Sequence, residues 1–143
     1  MNTLIRGSIG WLTGVVLTMF CAMAVASPFV GSRNVPHAVL YLNVNQSAKQ
    51  IWPVRIWAVD GKLTNRSNQG VLWIKPGNYV FNIKLGTVNL ADVPGLQRNA
   101  VYGQETHELK ISVEDGKAYY IGAKFAASNL WKPEVWKTAD AQY

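Results

Sequence analysis

Apolar and polar residues in this chain trade places every second position far more often than every third or fourth, which is the periodicity of strands with one face buried. The pattern is strongest where Tyr79, Phe81, Ile83 and Leu85 fall on one side and Asn78, Val80, Asn82 and Lys84 on the other. No helix could gather that first set on one face. The same alternation runs through Ala38, Leu40, Leu42 and Val44, with Val39, Tyr41 and Asn43 opposite. It returns in His107, Leu109, Ile111 and Val113, with Glu108, Lys110 and Ser112 opposite. Tyr119, Ile121, Ala123 and Phe125 form a fourth set, with Tyr120, Gly122 and Lys124 turned outward. Ile51 to Val59 and Val71 to Ile74 are short β-branched and aromatic runs, and Pro53 places the start of the former at an edge or a bulge. A last extended candidate, Glu134 to Lys137, follows Pro133.

The punctuation agrees. Asp60-Gly61 supplies a tight hairpin turn, Pro76-Gly77 a second turn, and Glu114-Asp115-Gly116-Lys117 a third. Gly86 to Gln104 has no periodicity and reads as a long loop, and Ser27 to Pro36 as a loose leader, with ordered structure starting near His37. Six or seven strands at intervals of roughly ten residues predict an all-β fold, a single antiparallel β-sandwich spanning residues 37–143.

The first 26 residues follow a different rule. Arg6 precedes an apolar stretch from Ile9 to Ala22, and Ala24-Val25-Ala26 is the small-x-small pattern that a signal peptidase cleaves, ahead of Ser27. The alternative is a retained membrane anchor, for which Ile9 to Ala26 barely reaches the length needed to cross ~30 Å of hydrocarbon. Thr18 and Phe20 occupy the positions where a lipobox before Cys21 needs Leu and a small residue. The expectation is a periplasmic or secreted domain.

Cleavage removes the one cysteine, so neither a structural disulfide nor a thiol nucleophile is expected, and packing alone must stabilise the domain. It also removes Arg6, leaving about +5 of the +6 net charge. In an exported protein that balance points to an envelope protein or an anionic envelope polymer as partner, with no nucleic acid. The basic residues are scattered without a run, as on an ordinary solvated surface.

Three elements carry a resemblance: Val59-Asp60-Gly61-Lys62, Ile74-Lys75-Pro76-Gly77-Asn78-Tyr79-Val80-Phe81, and Glu114-Asp115-Gly116-Lys117-Ala118-Tyr119-Tyr120-Ile121. Together they resemble the turns and strands of small bacterial envelope domains of the transthyretin-like, carboxypeptidase-regulatory-like and PEGA type. The resemblance implies a β-sandwich and carries over no active-site residue.

Chemistry-bearing groups are sparse. Only His37 and His107 could serve as acid–base histidines. Glu105 and His107 share a strand face and, with His37 or Glu108, could hold a metal, but His107 also lies on an apolar face, where a core or edge histidine is the common outcome. Glu105, Glu108, Glu114 and Asp115, interspersed with Lys110 and Lys117, look like a wet face rather than a glycosidase pair. No nucleophile elbow or phosphate-cradling loop occurs. No cofactor and no enzyme activity are expected; a hydrolase, the third reading, would need a cleft joining His107 to a nucleophile.

Tryptophan is the unusual feature. Beyond Trp11, the chain has Trp52, Trp57, Trp73, Trp131 and Trp136. If Val54, Ile56 and Ala58 point inward, Trp57 points outward; if Leu72 and Ile74 point inward, so does Trp73 point outward. Two such indoles on neighbouring strands would make a binding platform, with Arg55 and Lys75 beside them for an anionic ligand. Opposite facing would bury the indoles instead, or the tail with Trp131 and Trp136 could cover them. The functional expectation is a non-catalytic binding or accessory protein using that aromatic face. The alternative is a structural subunit or assembly factor that adds an open edge strand, the Pro53 segment or the tail, to a partner sheet.

Overall fold

Stable pairing of these alternating segments requires each to find a partner that buries the same face, and two stacked sheets achieve it. The computed structural model describes residues 27–66, 69–87, 105–127 and 130–142. Among them are nine strands: β1 (Ala38–Tyr41), β2 (Ile51–Trp52), β3 (Val54–Val59), β4 (Lys62–Leu63), β5 (Val71–Ile74), β6 (Gly77–Leu85), β7 (Thr106–Val113), β8 (Lys117–Ala127) and β9 (Leu130–Asp140). One sheet has four strands in the order β4-β3-β6-β7. In the other, β8 pairs with β9 on one side and with β1 and β2 on the other, and β5 adds outside β1. The fold is an all-β sandwich, as the alternation predicts.

The core is built from the expected faces. Leu40, Leu72, Ile74, Tyr119, Ile121 and Ala123 of the five-stranded sheet meet Val54, Ile56, Phe81, Ile83, Leu85 and Val113 of the four-stranded one. Each fully buried large side chain contributes ~1.5–3 kcal/mol, so close packing supplies the stability that no disulfide provides.

Five details depart from the sequence reading. First, the sandwich is not purely antiparallel, because β1 runs parallel to β8, with Leu40 opposite Tyr119. Their connection is long enough to include the whole four-stranded sheet, as a parallel pairing requires. Second, the tail strand is much longer than Glu134 to Lys137, covering the full length of β8. Pro133 does not bound it, since an edge strand tolerates a residue without an amide donor. Third, the run Ile51 to Val59 is split between the two sheets, with Pro53 buried where the chain leaves β2 for β3; the expected edge holds, because β2 ends its sheet and the start of β3 has one strand partner, β6. Fourth, Phe29 and Val30 are buried along the outer edge of β5, with Val30 N–H donating to the Trp73 carbonyl at 3.0 Å, so order begins well before His37. Fifth, the β3–β6 register shifts between Ile56 and Ala58, making Trp57 the extra residue of a bulge. After it Val59 enters the core, while Ala58 is buried outside the core cluster.

The hairpin at Asp60-Gly61 forms as expected. Both residues have positive φ, 48° and 79°, and Val59 pairs with Lys62, the geometry of a two-residue turn whose twist matches its strands. Residues 1–26 and 88–104, which hold the proposed signal and most of the long loop, lie outside the described residues. No helix among the described residues is long and apolar enough to cross a membrane.

Candidate functional site

The six residues expected to bind do not form one site. Trp57 and Arg55 lie on the outside of the four-stranded sheet, where Lys84 Nζ sits 3.5 Å from the Trp57 ring centroid. Trp73 lies on the outside of the other sheet, so the two indoles expected on neighbouring strands are on opposite faces of the molecule. Trp131 is 1% exposed and part of the core, because it pairs with Phe125 on the inward side of β8. Lys75 stands at the far end of β5, beside a cavity at the hairpin. Trp136 joins Trp73 on the outside of the five-stranded sheet.

That outer face is where aromatic groups converge. Register places Val71, Tyr41 and Tyr120 in one row across β5, β1 and β8, and Trp73, Val39 and Ala118 in the next. The row continues onto β9 through a second bulge: Lys137 opposes Tyr120 and Val135 opposes Ile121, leaving Trp136 as the extra residue. A bulge sets two residues against one. Trp136 accordingly packs edge-on against Tyr120 with centroids 5.5 Å apart, while Lys137 Nζ lies over the same Tyr120 ring at 4.9 Å.

Tyr41 and Tyr120 stack at 4.7 Å with their planes 13° apart. This distance is the spacing of neighbouring strands, so the rings stand upright side by side, turning faces to each other and edges to solvent. Val39 and Ala118, in the neighbouring row, are buried although they lie outside the core cluster. Gly122 is required for the same layer. A Cβ there would collide with the Ile51 methyl and press on the Trp136 indole at 3.3 Å.

Cations cover one face each of Trp73 and Trp136. Arg33 Cζ lies 5.0 Å from the Trp73 centroid and Lys49 Nζ 5.5 Å from that of Trp136. Lys124 and Lys132 are paired across β8 and β9 on the same face, and the Glu134 carboxylate lies 3.9 Å from Lys124. Among the described residues, Arg33, Lys49, Lys132 and Lys137 have no ion-pair partner. Further along β9, Lys117 donates to Asp140 at 2.6 Å. That hydrogen bond, and then the opposite charge, raises the Lys117 ammonium above its ordinary range and holds the Asp140 carboxyl below its own.

The combination favours anions. Aromatic edges carry the positive end of the ring quadrupole, and both faces of Tyr120 and one face each of Tyr41, Trp73 and Trp136 are covered by tyrosine or by a cation. Tyr41, Tyr120, Lys49, Lys137 and Arg33 are the members that sequence reasoning missed. Tyr41 and Tyr120 were legible as outward positions opposite buried ones, but their adjacency needs the parallel β1–β8 register.

The remaining candidates stay apart. His107 Nε2 lies 3.6 Å from Glu105 Oε2 and its ring packs edge-on against Trp131. His37 lies at the opposite end of β8, its backbone N–H bonded to Asp115 and its Nδ1 donating to the Val35 carbonyl. Among the described residues no group of three or more His, Cys, Asp or Glu could hold a metal ion. β9 is an open edge, as expected of the tail, but Pro133, Lys132, Lys137 and the Trp136 bulge interrupt it in the ways that protect edges from further pairing. No protein-family model, curated protein or solved structure matches this chain.

Proposed function

We propose that this chain is a non-catalytic binding module of the bacterial cell envelope, exported by its first 26 residues, whose five-stranded sheet engages an anionic envelope polymer through its outer face. The observation that carries the proposal is the row of Tyr41, Tyr120 and Trp136 with cations seated on it. Upright rings present positive edges, and the ammonium groups held by cation–π contacts are already positioned, which lowers the entropy lost when an acidic polymer docks. The flatness of a sheet face and the spread of cations from Arg33 to Lys132 suit an extended chain bearing repeated carboxylates or phosphates. The turns that resemble small envelope domains support the compartment.

The test is affinity electrophoresis and calorimetry with polygalacturonate as the anionic probe and dextran as the neutral one. Retardation by polygalacturonate alone, weakened by salt and by the pair Lys49→Glu with Lys137→Glu, is expected. Equal retardation by both polymers, or none by either, would overturn it. A single stoichiometric protein recovered by cross-linking in intact envelopes, insensitive to those two substitutions, would favour strand addition at an edge instead.

A further inference from the structure

At the opposite edge of the five-stranded sheet from β9, the Asp60-Gly61 hairpin, the segment Ser27 to Phe29 and the β5–β6 turn line an open cleft of about 780 Å³. That volume lies within the range of small-molecule pockets. Its apolar wall is Pro28, Phe29, Val59, Leu63, Pro76 and Tyr79. Leu63 stands out, because it is 73% exposed at the end of a two-residue edge strand, where a purely structural role would call for a polar residue.

The polar groups around the cavity divide into used and unused. Asp60 is occupied, its carboxylate accepting the Val80 N–H at 2.9 Å. The Tyr79 hydroxyl donates to the Lys75 carbonyl at 2.8 Å. Lys62 and Lys75 line the cavity from its two sides, and neither ammonium has an ion-pair partner among the described residues. Arg66 adds a third cation 5.6 Å from the Phe29 ring. An open cleft with an apolar wall, where two lysines outnumber the one carboxylate, Asp60, is complementary to a molecule with an apolar body and a single anionic head.

We infer that this cavity binds a small amphipathic anion, its alkyl or aryl body against Phe29, Leu63 and Pro76 and its head between Lys62 and Lys75. The site shares no residue with the polymer-binding face, so either assignment can fail without the other.

The experiment uses 1-anilinonaphthalene-8-sulfonate, itself an amphipathic anion, as a fluorescent probe on the purified protein, displaced by decanoate, decanol or decyltrimethylammonium. Saturable enhancement at one site is expected, with decanoate the best competitor and the cation the worst. Lys62→Gln with Lys75→Gln should weaken decanoate by about tenfold while changing decanol by less than about twofold, since a charge-assisted contact is lost and the apolar wall is kept. Leu63→Asp, at an exposed position that leaves the core intact, should weaken both. Trp136→Ala should weaken neither. Competition independent of head-group charge, or a decanoate affinity unchanged by the lysine pair or by Leu63→Asp in protein of unaltered circular dichroism, would overturn the assignment.

Discussion

Each outer face of the sandwich has a tryptophan at a β-bulge with a lysine over its ring, yet the two surroundings differ. Trp57 stands among Arg55, Lys84, Asn82 and Glu108, and its one aromatic or cationic ring contact among the described residues is Lys84. Trp136 meets Tyr120, which meets Tyr41; Ile51 and Trp136 close over Gly122, and Val39 and Ala118 are buried in the next row. The bulge is therefore only the device that turns an indole outward. What makes a site of it is the set of strands brought alongside, and only the five-stranded sheet places tyrosines there.

The comparison can be broken most severely at Gly122. Gly122→Ala should destabilise the protein by about 1–3 kcal/mol, since the new methyl overpacks against Ile51 and Trp136. Asn82→Ala, beside the Trp57 bulge, should stay within about 0.5 kcal/mol, as for an ordinary surface position. Urea denaturation midpoints compare them directly, and equal losses would mean that the outer layer over Gly122 is not packed as described.

Next in size is the effect on binding. Trp136→Ala should reduce polygalacturonate affinity by about tenfold or more, and Trp57→Ala by less than about twofold, as expected if one face holds the central anchor and the other does not. Similar losses from both would place the polymer across the whole surface. Smaller again, Lys84→Met and Lys137→Met should each cost about 0.5–1 kcal/mol of stability, the worth of an exposed cation–π contact. Thermal melts should not tell them apart, whereas the binding titration should, because only Lys137 lies on the proposed binding face.

The smallest effect concerns pH. Asp140 is held below the ordinary carboxylate range by Lys117, so this pair stabilises the β8–β9 end at neutral pH and ceases to do so as acid protonates the carboxyl. Both groups are solvent-exposed and screened, so Asp140→Asn should lower the melting temperature slightly at neutral pH in low salt. The difference from wild type should vanish in acid or at high salt. A difference that grows in acid would reverse the assignment.

Much of the fold was legible because two-residue alternation is a local property. The faces of β6, β7 and β8 follow from it directly, and Asp60-Gly61 from the positive φ that its turn demands. The site was legible only in fragments. Trp73 and Trp136 were among the expected binding residues, but Trp57 was grouped with the wrong partner and Trp131 proved to be core. Reading Val54, Ile56 and Ala58 as one inward set failed at Ala58 because a bulge adds one residue without any compositional mark.

The amino-acid order alone determined that the chain forms strands, which side of most of them is apolar, where the tight turns fall, and that no cysteine cross-link supports the described residues. The tertiary structure decided which strands are neighbours, that β1 lies parallel to β8, and that bulges at Trp57 and Trp136 face opposite directions. The reason is physical. Side-chain facing follows from the geometry of one extended strand, whereas register and sheet membership are set by the joint burial of segments distant in sequence, and the aromatic row exists only in that second kind of order.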